Sequence, residues 1–311
     1  MRTRFARFAW VVLGFNLLVI LWGALVRASR SGEGCGDRWP LCNGVVIPHA
    51  AQIATLIEFT HRATTGIAFL LVAAMAVWAF RRYRHELVWP AAAASLFFLI
   101  TEALLGAGLV LFNYAGAEVS AGRVVYLSAH LINTMLLVAA IALTAWWAAR
   151  PGAGIRLAGA DAKFCATSML ALLAVAVTGA MTALGDTLFP ASSLGAGFAS
   201  DFSSAAPWLV KLRVVHPLIA VVAGVSVAAV AGRIGRARRP ARAVMALVAL
   251  QIAAGILNLY LLAPVWMQLV HLLLADLLWI ALVIFTAATV EKSSAGSVVV
   301  PDSVLERLAE R

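Results

Sequence analysis

The chain has 311 residues, of which 63% are hydrophobic and 12% charged, and three are cysteines. Soluble domains are about half apolar and about a quarter charged, so this composition excludes an ordinary soluble domain, a disordered chain and a disulfide-rich secreted module. The formal net charge of +10 would indicate nucleic acid in a soluble protein. In a membrane protein it indicates loops that face the cytoplasm and anionic lipid, and we expect no nucleic-acid partner.

Eight apolar runs are long enough to cross a bilayer, since each crossing takes about 20 residues. The predicted helices cover residues 8–26, 57–80, 90–112, 124–148, 164–184, 208–231, 242–262 and 265–289. The first run is interpreted as a span because it is longer than a signal-peptide core and no clear small-residue cleavage site follows it. The sequence therefore predicts a multi-pass membrane protein.

Cationic residues are divided unequally between the two sides of the predicted bundle. Most of the 24 lysines and arginines lie at the N-terminus, in the loops after the second, fourth and sixth helices, or in the tail. The other side carries Arg27, Arg30, Arg38, Arg62, Arg123, Lys211 and Arg213. The positive-inside rule predicts a protein of the cell inner (plasma) membrane with both termini in the cytoplasm and a cytoplasmic tail at 291–311.

The chain also carries a weak internal repeat. Its matching segments are GALVR at 23–27 with GAMTA at 179–183, EALLGAGL at 102–109 with QIAAGILN at 251–258, and LSAHLINTML at 127–136 with QLVHLLLADL at 268–277. Such repeats are typical of membrane bundles built by duplication. We predict an all-α integral membrane protein whose eight transmembrane helices form two tandem pseudo-symmetric four-helix bundles, at 1–150 and 151–290.

Four of the six histidines lie in even-numbered helices, at similar depth below the outer surface: His61, His130, His216 and His271. A lone histidine in a membrane helix commonly just hydrogen-bonds a neighbouring helix. Four histidines at matched depth, related by the repeat, are more typical of ligands to a bound metal or cofactor. Imidazoles on facing helices hold a planar haem, whereas a zinc or copper site would more typically add cysteine, methionine or carboxylate. The pattern predicts two separate bis-histidine haem pockets.

Glu58 precedes His61 by one helical turn in IEFTHR, so both side chains share a face. One interpretation is an ion pair with Arg62 at i,i+4. The other is an acid/base or charge-stabilising group beside the ligand. The second half has Arg213 at the matching position, so a catalytic Glu58 would confine the chemistry to the first pocket.

Several further residues have more than one interpretation. Cys35 and Cys42 bracket GDRWPL in the first outer loop. They are interpreted either as a structural disulfide or as a redox-active dithiol. Cys165 is expected to be a lone buried thiol. Glu102, opposite Gln251 in the repeat, is a packed carboxyl or part of a proton path. Candidates to pair with haem propionates, or alternatively to extend to the interface, are Arg27, Arg62, Arg123, Lys211 and Arg213.

GALVRASRSGEGCGDRWPLCNG at 23–44 and IEFTHR at 57–62 resemble the haem A synthase family, in particular its bacterial members with a cysteine pair in the first outer loop. The resemblance covers both halves, the eight spans, the four histidines and the cysteine pair. It implies an enzyme, a haem-dependent oxidoreductase that converts haem O to haem A. A methyl group becomes a formyl group by successive hydroxylations, and the haem A is supplied to terminal oxidases.

The resemblance also implies roles for particular residues. The substrate haem O would bind between His61 and His130, and haem b between His216 and His271. Glu58 would stabilise a cationic intermediate or take a proton from the attacking water. Haem O synthase, an unidentified electron acceptor and further copies of the chain are the partners that the family implies.

Two other functions fit parts of the pattern. A di-haem b-type electron-transfer cytochrome is the main alternative, but a transmembrane electron path would stack its haems across the bilayer rather than place all four histidines at one depth. A proton-coupled transporter would need broken helices near the midplane, which the glycines and prolines do not mark in both halves. Haem content separates the transporter from the other two functions, and turnover of haem O separates the synthase from the cytochrome.

Overall fold

The structure is a computed structural model that describes residues 2–49, 52–116, 120–155, 159–235 and 238–292. Within these ranges it is almost entirely helical, with eight helices long and apolar enough to cross a membrane. In chain order the elements are α1 Arg2–Ala28, α2 Ile53–Tyr83, α3 Val88–Leu111, α4 Ala121–Ala148, β1 Gly154–Ile155, α5 Ala160–Leu188, α6 Leu194–Asp201, α7 Trp208–Gly235, α8 Arg239–Tyr260, α9 Val265–Val290 and β2 Glu291–Lys292. The chain is thus a multi-pass membrane protein.

The eight predicted spans are confirmed, although most of the helices extend beyond the predicted ends. Hydropathy detects the apolar run, whereas the backbone hydrogen bonding continues through the polar and cationic residues that flank it. The short helix α6 and the antiparallel pair of β1 with β2 were not predicted, because they lie outside the apolar runs. Strand β2 takes up the first two residues of the predicted tail, and residues 293–311 lie outside the described part of the chain.

The two halves have the same pattern of neighbouring helices. In the N-terminal half, α1 packs against α2 and α4, and α3 packs between α2 and α4. In the C-terminal half α5, α7, α8 and α9 replace α1, α2, α3 and α4 in the same contacts. The predicted tandem four-helix arrangement agrees with this pattern.

Helices α4 and α9 lie at the centre of the molecule, where the halves meet, and they are the most buried spans. The fully buried Trp279 of α9 donates its indole N–H to the carbonyl of Met135 in α4 at 2.7 Å. Ala142 and Ala145 of α4 are fully buried. Because lipid is as apolar as these side chains, close approach of the helices and dispersion, rather than exclusion of water, hold the bundle together.

The first loop, described over residues 29–49, is fastened to the start of α2. Cys35 and Cys42 form a disulfide, which confirms the predicted pairing, and Cys165 is a buried free thiol as expected. Gly34 lies directly on α2, since a Cβ on this residue would lie 2.5 Å from the backbone of Ala54. Only glycine permits this approach, which holds the disulfide loop over the end of α2 that carries the first histidine.

Candidate functional site

The four histidines lie near the starts of the helices that begin at one end of the bundle. His61 and His216 are eight residues after the first residues of α2 and α7, His130 is nine after that of α4, and His271 is six after that of α9. At about 1.5 Å per residue, all four lie roughly 9–14 Å from those helix ends. The structure therefore places the four imidazoles at a common depth.

The histidines lie in two pairs, one in each half. His61 is close enough to His130 for electrostatic interaction, and His216 to His271. Among the described residues, no group of three or more His, Cys, Asp or Glu side chains is arranged to hold a metal ion. A pair of imidazoles would suit the iron of a haem, whereas zinc sites use three or four protein ligands.

The histidines in the second helix of each half, His61 of α2 and His216 of α7, are in close contact with glycines of the preceding helix. A Cβ on Gly23 of α1 would lie 2.9 Å from Cε1 of His61, and a Cβ on Gly179 of α5 would lie 2.9 Å from Cε1 of His216. Real Cβ atoms do not approach carbon so closely. The missing side chain therefore makes the space that each ring occupies.

The histidines in the fourth helix of each half, His130 of α4 and His271 of α9, also face a glycine of the preceding helix, but at longer range. A Cβ on Gly255 of α8 would lie 3.2 Å from Cε1 of His271, and one on Gly106 of α3 would lie 3.7 Å from Cε1 of His130. These glycines occupy equivalent positions in EALLGAGL and QIAAGILN, and the other two occupy equivalent positions in GALVR and GAMTA. The repeat thus contained the signal, but analysis of the histidines alone missed it.

The ring nitrogens of the histidines are incompletely satisfied. Nδ1 of His216 lies 3.1 Å from the hydroxyl of Thr178. Nδ1 of His61, of His130 and of His271 are buried and make no hydrogen bond in the described part of the protein. Buried polar atoms without partners are costly. Such nitrogens fit rings whose contacts are completed by a bound group.

A carboxylate accompanies the fourth-helix histidine of the N-terminal half. Nδ1 of His130 lies 3.4 Å from Oε1 of Glu102 in α3. Asn133 donates to Oε2 of Glu102 at 2.6 Å, and the hydroxyl of Thr134 donates to Oε1. In the C-terminal half, Nε2 of Gln251 lies 3.2 Å from Nε2 of the equivalent histidine. Sequence analysis related Glu102 to Gln251 but did not connect either residue with a ligand.

Glu58 is buried where α2 meets the first loop, with 4% of its surface exposed. Its Oε1 accepts from Nη2 of Arg62 at 2.5 Å and from Nε at 3.2 Å, and its Oε2 accepts from the backbone N–H of Cys35 at 2.8 Å. Arg62 also donates to the carbonyls of Arg38 at 3.1 Å and Leu41 at 2.8 Å. The ion pair considered from the sequence is therefore present, and it connects the carboxylate to the disulfide loop.

Arg27 crosses from the N-terminal half to the C-terminal half. It donates to the carbonyl of Ala183 at 2.8 Å and the hydroxyl of Thr187 at 2.9 Å on α5, and to Oε1 of Gln268 on α9 at 3.0 Å. The acceptors of these bonds are neutral, but the carboxylate of Asp186 is close enough to interact electrostatically with the guanidinium. The pairing of Arg27 with a propionate stays a prediction.

Arg213, at the repeat position of Glu58, is neutralised by two carboxylates. Its Nε lies 2.8 Å from Asp186 and its Nη1 3.6 Å from Asp201. Asp201 ends the short helix α6, and burial raises the pKa of this carboxyl, while Arg213 acts in the opposite direction. The same position therefore carries a carboxylate in one half and a paired guanidinium in the other.

Two more candidate cations have partners of their own. Arg123 is buried in α4 and donates to the carbonyl of Gly116, and Lys211 donates to the carbonyl of Ser204 at 3.3 Å. Their location at the histidine end of the bundle agrees with the prediction. Their pairing with propionates stays a prediction.

The comparisons with known proteins agree with this geometry. Residues 6–283 match the family model COX15-CtaA, described as cytochrome oxidase assembly protein. A protein named protoheme IX farnesyltransferase from Thermus thermophilus is 46% identical over 302 residues, which are 94% of this chain and 49% of that protein. A haem A synthase from Shouchella clausii is 49% identical over 101 residues, 31% of this chain and 33% of that protein. One from Alkalihalophilus pseudofirmus is 39% identical over 130 residues, 41% of each chain.

The chain thus spans about half the length of the Thermus relative, and the haem A synthases match it over shorter segments. The family model, by contrast, extends from the first span into the last, and so includes all four histidines and the disulfide. The chain belongs to the COX15-CtaA family of cytochrome oxidase assembly proteins.

Proposed function

We propose that the chain is a haem A synthase, which oxidises a methyl group of haem O to a formyl group. Water supplies the oxygen, and the electrons pass to an acceptor outside the chain. The observation that carries the proposal is the presence of two imidazole pairs at one depth, with each ring against a glycine of the preceding helix. The matches to haem A synthases from two bacteria support it.

The substrate site is assigned to the N-terminal half, between His61 and His130, and the haem b site to the C-terminal half, between His216 and His271. These residues would hold the iron of a haem, since they are paired imidazoles in spaces kept open by glycines, and some of their buried nitrogens make no hydrogen bond with the described residues. Haem b, when bound, supplies one-electron chemistry.

Glu58 supports the location of the chemistry in the N-terminal half, because the equivalent residue of the other half is Arg213. Arg62 and the backbone N–H of Cys35 fix the carboxylate one turn from His61. A fixed carboxylate at this place stabilises positive charge that develops on the substrate, or receives a proton from the attacking water.

The Thermus relatives bear on the source of the substrate. This chain matches only half of each of them, and that half corresponds to the cytochrome oxidase assembly family. We assign the farnesyl transfer in their name to the other half. Haem O is a farnesylated haem, so the two reactions are consecutive, and a haem O synthase is a partner of this chain.

The orientation in the membrane follows from the distribution of cations. Helix α1 begins and α9 ends on the cation-rich side, which we assign to the cytoplasmic face of the cell inner membrane. The histidines and the disulfide loop then lie towards the outer face, where disulfides persist.

Extraction and mass analysis of the bound haems test the proposal, with the protein purified from cells that also produce haem O. We expect haem B together with haem O, a hydroxylated form or haem A. The matched variant His61→Ala should lose the farnesylated haems and keep haem B. Haem B alone in the unmodified protein, with no turnover of added haem O, would refute the synthase and favour the di-haem cytochrome.

A further inference from the structure

The ligand histidines of the two fourth helices have neighbours of different charge. In the N-terminal half, Glu102 lies beside His130, and its side chain is only 14% exposed. Both of its oxygens receive hydrogen bonds from α4, one from Thr134 and one from Asn133. The Asn133 amide is itself oriented, because its oxygen accepts from Thr101 at 2.6 Å. Donors that converge on both oxygens fix Glu102 beside the imidazole, with Oε1 3.4 Å from Nδ1 of His130, a charge contact rather than a hydrogen bond.

The C-terminal half has none of these features at the equivalent positions. Gln251 replaces Glu102, and the segment QLVHLLLADL places Leu274 and Ala275 where LSAHLINTML has Asn133 and Thr134. The carboxylate and its two donors thus occur together in one half and are replaced together in the other.

A carboxylate next to the outer nitrogen of a ligating imidazole makes the ring a stronger donor to the metal, whereas a neutral amide does so less. Stronger donation and a nearby negative charge stabilise ferric over ferrous iron. Glu102 lies 3.4 Å from Nδ1 of His130 and leaves Nε2 for a metal, whereas the amide of Gln251 lies 3.2 Å from Nε2 of His271 and leaves Nδ1.

We propose that Glu102 is a positioning residue that, through His130, lowers the reduction potential of an iron bound in the N-terminal pocket below that of an iron bound in the C-terminal pocket. The inference rests on the proposed function, since it requires a haem in each half. The difference in potential favours transfer of electrons from the substrate site towards the haem b site.

Redox titration of the purified full-length protein, loaded with haem O and haem B, tests the inference through three variants. Glu102→Gln copies the amide of the C-terminal half, and Gln251→Glu is the reciprocal change. Thr134→Ala is the matched control, because it removes one of the two donors to Glu102 but retains the carboxylate and its bond from Asn133. Mass analysis of extracted haems confirms that both pockets are filled in each variant.

We expect two titrating components. Glu102→Gln should raise the midpoint potential of the lower one and leave the other in place, Gln251→Glu should lower the higher one, and Thr134→Ala should change either one less than Glu102→Gln does. An unchanged potential in Glu102→Gln, or an equal shift in Thr134→Ala, would overturn the inference while the synthase proposal stands. Absence of haem from the N-terminal pocket of the unmodified protein would overturn both.

Discussion

Alanine at Gly23 or Gly179 should weaken haem binding in one pocket without unfolding the protein. A Cβ at either position would lie 2.9 Å from Cε1 of the facing histidine, whereas non-bonded carbons rest at about 3.5 Å or more. The ring must therefore retreat by roughly 0.6 Å. Functional groups tolerate displacements of about 0.5 Å, so the shift is large enough to impair ligation.

The size of the effect depends on whether the ring is free to move. Replacement of glycine by alanine within a helix is itself favourable by about 0.5–1 kcal/mol. A histidine without iron relieves the contact by rotation, so the apoprotein should keep its stability or gain slightly. A ligated histidine cannot rotate, and overpacking costs about 1–3 kcal/mol. This corresponds to haem binding that is roughly 5- to 150-fold weaker.

The glycines provide a graded series for the assay, which measures the ratio of haem to protein and the melting temperature. Gly255→Ala, with its contact of 3.2 Å, should lose less haem, and Gly106→Ala, at 3.7 Å, should lose none. Gly14→Ala is the matched control in α1, since no atom of the described chain would meet its Cβ within 4 Å. The reasoning is refuted if Gly23→Ala retains as much haem as Gly14→Ala, or if Gly106→Ala loses more than Gly179→Ala.

Three further predictions concern the residues that the sequence identified. Glu58→Gln should keep both haems but reduce haem A formation by about 100-fold or more, and unchanged output in an assay of extracted haems would remove Glu58 from the mechanism. Replacement of Cys35 and Cys42 by serine should cost about 2–3 kcal/mol of stability and lower activity, because the loop that holds Glu58 loosens; a normal melting temperature and turnover would show that the bridge is dispensable. His216→Ala or His271→Ala should deplete haem B and spare haem O, so an unchanged haem B content would contradict the pocket assignment.

Hydropathy sufficed to predict the spans, because a bilayer requires about 20 apolar residues per helix however the helices pack. It missed α6, Leu194–Asp201, since so short a helix of mixed polarity has no such requirement. The available signal was Ser193, whose hydroxyl accepts from the N–H of Ala196 at 3.1 Å and caps the helix. The ends of the spans were missed for the related reason that flanking polar residues remain helical.

The sequence predicted side-chain contacts within one helix of the site but not contacts between helices. Glu58 and Arg62 are four residues apart, and this spacing alone places them in contact. The contacts of Glu102 with His130 and of Arg27 with Gln268 join different helices. They depend on how each helix is rotated about its axis, which packing decides, so sequence spacing could not supply them.

The differences between the halves locate the reaction better than their similarity does. The shared histidines and glycines let both halves hold the same planar group. Glu58 and Glu102, however, correspond to Arg213 and Gln251, so the carboxylates one helical turn from a ligand or in contact with one belong to the N-terminal half. The buried Asp276 of the C-terminal half lies five residues past His271, about 140° round the helix, and so faces away from that ligand. An ionisable residue within a membrane span costs about 2.5–3.5 kcal/mol. Two sites that only stored haem would not need a carboxylate beside the ligands of one pocket, whereas a pocket in which charge develops during the reaction does.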